Sequence, residues 1–147
     1  MAAIVIADAS PLIALARVGG LSWLQQLFTE VMVTDVVFAE ARTAGWLQTI
    51  AIATTEPDLP DLDEGEASSI RLALSRNGPA LLLIDERSGR AVAQELGLSV
   101  AGTAAVIGLA RQRGLIPSAR QVFAALHASD FRIAPAVIQA VLDRCGE

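Results

Sequence analysis

The sequence predicts an α/β fold, a mostly parallel sheet with helices packed on both of its faces. Three observations predict it. Short apolar or β-branched runs alternate with segments of helical spacing through about residue 113, before two final helices. Two of the runs are apolar at every position, as strands covered on both faces must be. Cap or turn residues separate most of the segments, and right-handed crossovers then make the strands parallel.

Residues 2–7 form a continuous apolar run centred on Ile4, Val5 and Ile6, a buried strand that ends at Asp8. Ser10 before Pro11 reads as a helix start, the hydroxyl capping and proline in the first helical position, with the helix running to about Val18. Residues 21–28 predict a second short helix, residues 30–34 a strand of β-branched valines, and residues 35–42 a helix carrying Glu40. A third strand is expected over 49–55, followed by an exposed acidic, proline-bearing loop over 56–63. The helix over 63–76 opens on Asp-x-x-Glu and closes at Asn77-Gly78-Pro79. Residues 81–84 make a fourth strand ending at Asp85, residues 86–96 a helix ending at Gly97, and residues 98–101 a fifth strand. Helices over 103–113, about 118–128 and about 135–144 complete the pattern, with no internal repeat.

A chain of 147 residues suits a single domain over 1–147, with the helices of about 118–144 packed on the rest. Hydrophobic residues make up 53% and charged residues only 18%, which implies a sheet covered on both faces and leaves apolar surface for a partner. The net charge of −5 argues against nucleic-acid binding by bulk electrostatics and leaves a local basic patch open. Cys145 is the only cysteine, so no intramolecular disulfide or cysteine-rich zinc site can form, and a cytoplasmic location is expected. The apolar opening lacks a positive n-region and contains Asp8, unlike a signal peptide. The longest charge-free stretch, 96–110, carries three glycines and falls short of the ~20 residues a membrane span needs, so a soluble protein is expected.

In an open parallel sheet, ligands bind at the carboxyl ends of the strands, near the point where strand order reverses. Asp8 and Asp85 stand at two such ends. With Ser10 taken as the cap, Asp8 has no evident local role, whereas an ordinary helix N-cap explains Asp85 as well as a metal ligand does. Glu66 completes a capping box with Asp63, and Glu40 alone is an ordinary helix glutamate. Their conjunction says more: two strand-end and two helix carboxylates facing one crevice need a cation among them. All-oxygen donors select a hard ion, Mg²⁺ or Mn²⁺. The sole histidine, His127, lies far along the chain and reads as a partly exposed helix residue.

The segments IADASPLIAL, VVFAEA, LDEGEASSI and LLLIDERSGRAVAQELGLSVAGTAAVI resemble PIN-domain proteins, in that order and over nearly the whole chain. The GEA helix start, the Asp-Glu-Arg after the fourth strand and the ELGL-x-V-x-GT passage are similar to a prokaryotic subgroup near VapC-type toxins. The resemblance implies a three-layer α/β/α fold with a five-stranded, mostly parallel sheet and a metal-dependent endoribonuclease. It also implies single-stranded RNA as substrate, a homodimer and, for a toxin, a cognate antitoxin protein. Asp8, Glu40, Glu66 and Asp85 match the acidic metal ligands, and Ser10 the hydroxyl residue beside the first of them. Toxin relatives commonly carry another aspartate near the fifth strand. Here Gly102-Thr103 stands in its place, with Thr103 or Glu86 as partial substitute. Arg87 and Arg90, on the helix after Asp85, could hold the RNA backbone or simply face solvent.

Rival chemistries that also use strand-end aspartates, phosphotransfer receivers and aspartate-nucleophile phosphatases, normally enlist a lysine. The chain has none, and Ala9-Ser10 rather than a second aspartate follows Asp8. A P-loop is absent. The alternative from another class is a PIN-like module with weak or lost nuclease activity that acts by binding a protein.

Overall fold

Val5, Ile6 and Ala7 have no solvent exposure, which requires a strand flanked on both edges and covered on both faces. The computed structural model describes residues 4–41, 47–51, 54–76 and 78–147 and places this strand, β1 (Ile4–Ala7), at the centre of a sheet. The chain continues through α1 (Ala9–Arg17), α2 (Leu21–Leu27), β2 (Glu30–Thr34), α3 (Asp35–Ala41) and β3 (Gln48–Ile50). It then forms α4 (Glu64–Ser75), β4 (Leu81–Leu83), α5 (Arg87–Glu95), β5 (Ser99–Ala101), α6 (Thr103–Gln112), α7 (Ala119–Ala128) and α8 (Pro135–Cys145).

Among the described residues the sheet has five strands in the order β3-β2-β1-β4-β5, every neighbouring pair parallel. Side chains alternate across it. Val5, Ala7, Val33 and Leu83 face a cluster with Leu12 and Leu15 of α1, Leu24 of α2, Ile107 of α6, Leu126 of α7 and Leu142 of α8. Ile6, Met32 and Leu82 face the opposite cluster with Ile70 of α4 and Ala93 of α5. The α/β/α expectation therefore holds, with α7 and α8 sharing the core of the first face.

The chain builds outward from β1 through β2 to β3, then crosses back to add β4 and β5 on the other side. Strand order thus reverses between β1 and β4, where an open α/β sheet leaves a crevice at its carboxyl edge.

The expected start of the first helix is corrected. Helix α1 begins at Ala9, its N-cap is Asp8 and Ser10 is its second residue, so Ser10 does not cap it. The cause is the sheet: the Asp8 N–H still donates to the Leu83 carbonyl (2.9 Å), and the chain turns into the helix directly after that bond. The third strand is shorter than the expected 49–55 and begins one residue earlier; as an edge strand it pairs only with β2, over Gln48, Thr49 and Ile50. Ala2, Ala3, Arg42, Ile52, Ala53 and Asn77, which the expected elements or their ends included, lie outside the described residues.

Candidate functional site

Ala7 of β1 stands level with Leu83 of β4, so Asp8 and Asp85 leave the sheet close together at the reversal point. Asp8 is only 4% exposed. Burial pushes its carboxyl up to about 6; the nearby Ala9 N–H works the other way, and the charges of Asp63, Glu40 and Asp85 push it up further. Three carboxylates from other segments therefore crowd a buried fourth.

Helix α4 supplies the next one. The Asp63 carboxylate accepts from the Glu66 N–H (2.8 Å), and Glu66 Oε1 accepts from the Asp63 N–H (3.4 Å), a complete capping box. The box occupies only one oxygen of Glu66. The other, Oε2, is buried and has no hydrogen-bond partner among the described residues. Burial and then the Asp63 charge push the Glu66 carboxyl up to about 7, against the Asp63 N–H, with Asp8 adding to the rise. Behind Glu66, α5 packs so closely that a Cβ on Gly89 would lie 2.6 Å from Oε2 and 2.6 Å from Ile84 Cδ1. A larger residue there would displace the Glu66 carboxylate or the tip of Ile84.

Glu40 reaches the same region from α3. Its two carboxylate oxygens lie 3.3 Å from where a Cβ on Gly65 would stand, beside Asp63 Oδ1 at 3.4 Å. A buried hydroxyl pair fixes α3 against α4: Thr34 Oγ1 lies 2.7 Å from Ser68 Oγ, accepts from the Val37 N–H, and Ser68 Oγ donates to the Gly65 carbonyl. Because Ser68 already donates to Gly65, Thr34 is the donor within the pair.

Asp85 does not cap the helix that follows it; the N-cap of α5 is Glu86, which makes no side-chain cap bond. Its carboxylate instead receives the Thr103 N–H on Oδ1 (2.8 Å) and the Thr103 hydroxyl on Oδ2 (2.7 Å). Thr103 is fully buried, so its hydroxyl is committed to orienting Asp85. A Cβ on Gly102 would lie 2.6 Å from Asp85 Oδ1 and 2.9 Å from Arg90 Nη1, placing that guanidinium on the same side of β5. Arg90 itself donates to the Ile84 carbonyl at 3.5 Å. Glu86 and Arg87 are exposed at the start of α5, and Ser10 is half-buried in the first turn of α1; none of these three bonds to the carboxylates.

Among the described residues, no group of three or more His, Cys, Asp or Glu side chains is close enough to hold one metal ion as it stands. The donor set nevertheless fits a hard divalent ion. It is all oxygen, it includes the orphaned buried Glu66 Oε2, and Asp8 and Glu66 are both pushed toward neutrality, first by burial and then by neighbouring carboxylate charges. Asp63, read in the sequence only as a helix cap, joins the set through its place beside Glu40, Glu66 and Asp8. The Asp-x-x-Glu spacing that marks the cap also puts the two carboxyls within one helical turn.

A parallel five-stranded sheet between helical layers, with acidic side chains drawn from β1, α3, α4 and β4 to its reversal point, defines a class of α/β proteins with a cation-seeking crevice. Within that class the chain belongs to the PIN-domain family: the family model described as "DUF3368: PIN domain" matches residues 4–147. A solved structure of a PilT N-terminus domain protein from the hyperthermophilic archaeon Sulfolobus solfataricus P2 superposes with a TM-score of 0.52 at 16% identity, covering 70% of this chain and 89% of that one. At that identity it supports the fold. A search of curated proteins finds no match. PIN domains are generally nucleases and typically bind divalent metals. No helix among the described residues is long and apolar enough to cross a membrane.

Proposed function

We propose that this chain is a divalent-metal-dependent endoribonuclease, with Asp8, Glu40, Glu66 and Asp85 holding Mg²⁺ or Mn²⁺ and Asp63 assisting them. The observation that carries the reading is the buried Glu66 Oε2, unpartnered among the described residues, on a carboxyl that the charges of Asp63 and Asp8 also reach. A bare buried acceptor costs roughly 1–3 kcal/mol, and a cation is the partner such a crevice would best accommodate.

When bound, the ion supplies Lewis-acid stabilisation of the scissile phosphate and of an attacking water. The chain's own groups do the rest. Thr103 holds the Asp85 carboxylate in one orientation through two hydrogen bonds. The capping box fixes Glu66 through Oε1 and its N–H, leaving Oε2, which lies against Gly89 of α5, uncommitted. In this reading Arg87 and Arg90 take the phosphates flanking the cut by forked hydrogen bonds, and Ser10 positions a water or phosphate oxygen. With no lysine in the chain, arginine supplies any such contact.

Single-stranded RNA is the substrate class we propose, in a cytoplasmic protein that works as a homodimer and as the toxin of a pair with a cognate antitoxin. The test is RNA cleavage during a Mg²⁺ or Mn²⁺ titration, comparing wild type with Asp8→Asn and Asp85→Asn. Cleavage that follows metal and is lost in both variants supports the reading; metal-independent cleavage, or variants as active as wild type, would overturn it. A short reading frame immediately upstream would support the toxin role. A second reading, a PIN-like module acting by protein binding, is favoured by the commitment of both Asp85 oxygens to Thr103. Absence of Mn²⁺ binding in calorimetry would select it.

A further inference from the structure

Beside the carboxylates a groove of about 640 Å³ opens between the end of β5, α6 and α8, and its lining begins with Asp85 and Gly102. At roughly 30 Å³ per liquid water it holds the space of about twenty waters, far more than a single ion or phosphate needs. Its floor is apolar, with Val100, Ala104, Phe131 and Val137, the last 46% exposed. Arg90, Arg132 and Arg144 also line it.

The distribution of positive charge singles this groove out. In a chain of net charge −5, most described arginines are engaged elsewhere: Arg17 with the Ser129 carbonyl, Arg71 with Glu64 and Pro57, Arg76 with Met32, Arg111 and Arg120 with Glu147, and Arg113 with a partner of its own. Arg87, Arg132 and Arg144 carry no hydrogen bond or ion pair with any described residue; Arg132 and Arg144 line the groove with Arg90, and Arg87 stands two residues after Asp85. The Phe131–Ala134 turn between α7 and α8, which presents Arg132, is held in place. The Phe131 N–H donates to the Leu126 carbonyl (3.0 Å), and the Ile133 N–H to His127 Nε2 (3.4 Å).

We infer that this groove is the track for the RNA strand on one side of the cut, Arg90, Arg132 and Arg144 taking successive phosphates while the apolar floor around Phe131 and Val137 receives bases. The inference rests on the ribonuclease reading of the carboxylate site and adds where the strand runs. Unpaired guanidiniums along an apolar trough match a polyanion with stackable bases. A second copy of this chain fits less well, because a two-fold contact through the groove would bring its unpaired arginines together.

The test is fluorescence anisotropy of a labelled single-stranded RNA 12-mer in Ca²⁺, for wild type and the Arg132→Ala/Arg144→Ala double variant, across a salt series. The double variant should bind at least about 10-fold more weakly, with a log K against log salt slope smaller by roughly 1.4, the loss of two single-strand phosphate contacts. Equal affinity and slope in the two proteins overturn the inference. So does an amphipathic Glu/Leu peptide that binds wild type but not the double variant while RNA binding is unchanged, which assigns the groove to a protein segment. A wild-type dimer that the double substitution dissociates, with RNA affinity intact, overturns it in favour of a self-interface. Because the readout is binding, it separates from the cleavage test: a groove that binds RNA in a protein whose Asp8→Asn variant matches wild type in cleavage leaves the track standing and removes the chemistry.

Discussion

Replacing Asp8 with asparagine should make the metal-free protein more stable at neutral and alkaline pH, although Asp8 is central to the site. The carboxyl is raised from its ordinary 3.8 to about 6, so the folded state holds its proton more tightly than the unfolded chain does. Below 3.8 both states are protonated and the group is neutral to stability; as pH rises through 6 the destabilisation grows to its full size. At 1.36 kcal/mol for each tenfold change in proton affinity, that size is about 3 kcal/mol as a ceiling. For a chain of this length the corresponding rise in thermal midpoint for Asp8→Asn is roughly 6–12 °C. The assay is thermal or urea denaturation in EDTA at about pH 4 and about pH 8. Wild type should lose stability between the two, and the variant should lose much less. Saturating Mn²⁺ should stabilise wild type and not the variant. A variant less stable than wild type at pH 8 in EDTA would refute the claim that Asp8 is held as an uncompensated buried carboxylate.

Other substitutions probe the supports. Gly89→Ala places a methyl 2.6 Å from Glu66 Oε2 and Ile84 Cδ1, and should cost about 1–3 kcal/mol of stability and weaken metal binding, measured by denaturation and calorimetry. Thr103→Val removes the hydroxyl from Asp85 Oδ2 while keeping the Thr103 N–H bond; metal affinity or cleavage should fall by about 10–100-fold in titrations that leave the circular-dichroism spectrum unchanged. Glu147 accepts from Ser118, Ala119 and Arg111, and the Ala119 N–H leads in lowering its carboxyl below the ordinary 4.5. Its contribution to stability is therefore present above 4.5 and lost as pH falls through the lowered value, so Glu147→Gln should lower the melting temperature at pH 7 and converge with wild type in acid.

The layers of this fold were readable because periodicity reports burial: the unbroken apolar runs at β1 and β4 are the strands that both faces cover, and the PIN-domain resemblance extended this to five strands. Helix starts were less readable, because capping potential does not say where the preceding strand stops pairing. Ser10-Pro11 looks like a start, yet the Asp8 N–H bond to Leu83 lets the chain turn two residues earlier. At the site, Asp8 and Asp85 could be placed from sequence since strand ends are local features, but the partner of Asp85 could not. Thr103 lies 18 residues on and meets it only because β4 and β5 pair. Glu66 had two readings that seemed to compete, cap or ligand, and its two oxygens divide them. Nor could the sequence show that Gly89 admits Oε2, or that Arg132 and Arg144 share a groove with Asp85, since α8 reaches that groove through tertiary packing alone.

The central claim, that these carboxylates form a metal site, is tested most directly by Mn²⁺ calorimetry near pH 6.5 in buffers of different ionisation enthalpy. With Asp8 near 6 and Glu66 near 7, both carboxyls are partly protonated there, and a cation binding between them must displace those protons. Saturable binding is expected, with an apparent enthalpy that changes with buffer, a proton release that shrinks toward pH 8.5, and loss of binding in Asp8→Asn. Absence of Mn²⁺ binding, or binding with no proton release and no dependence on Asp8, would contradict it.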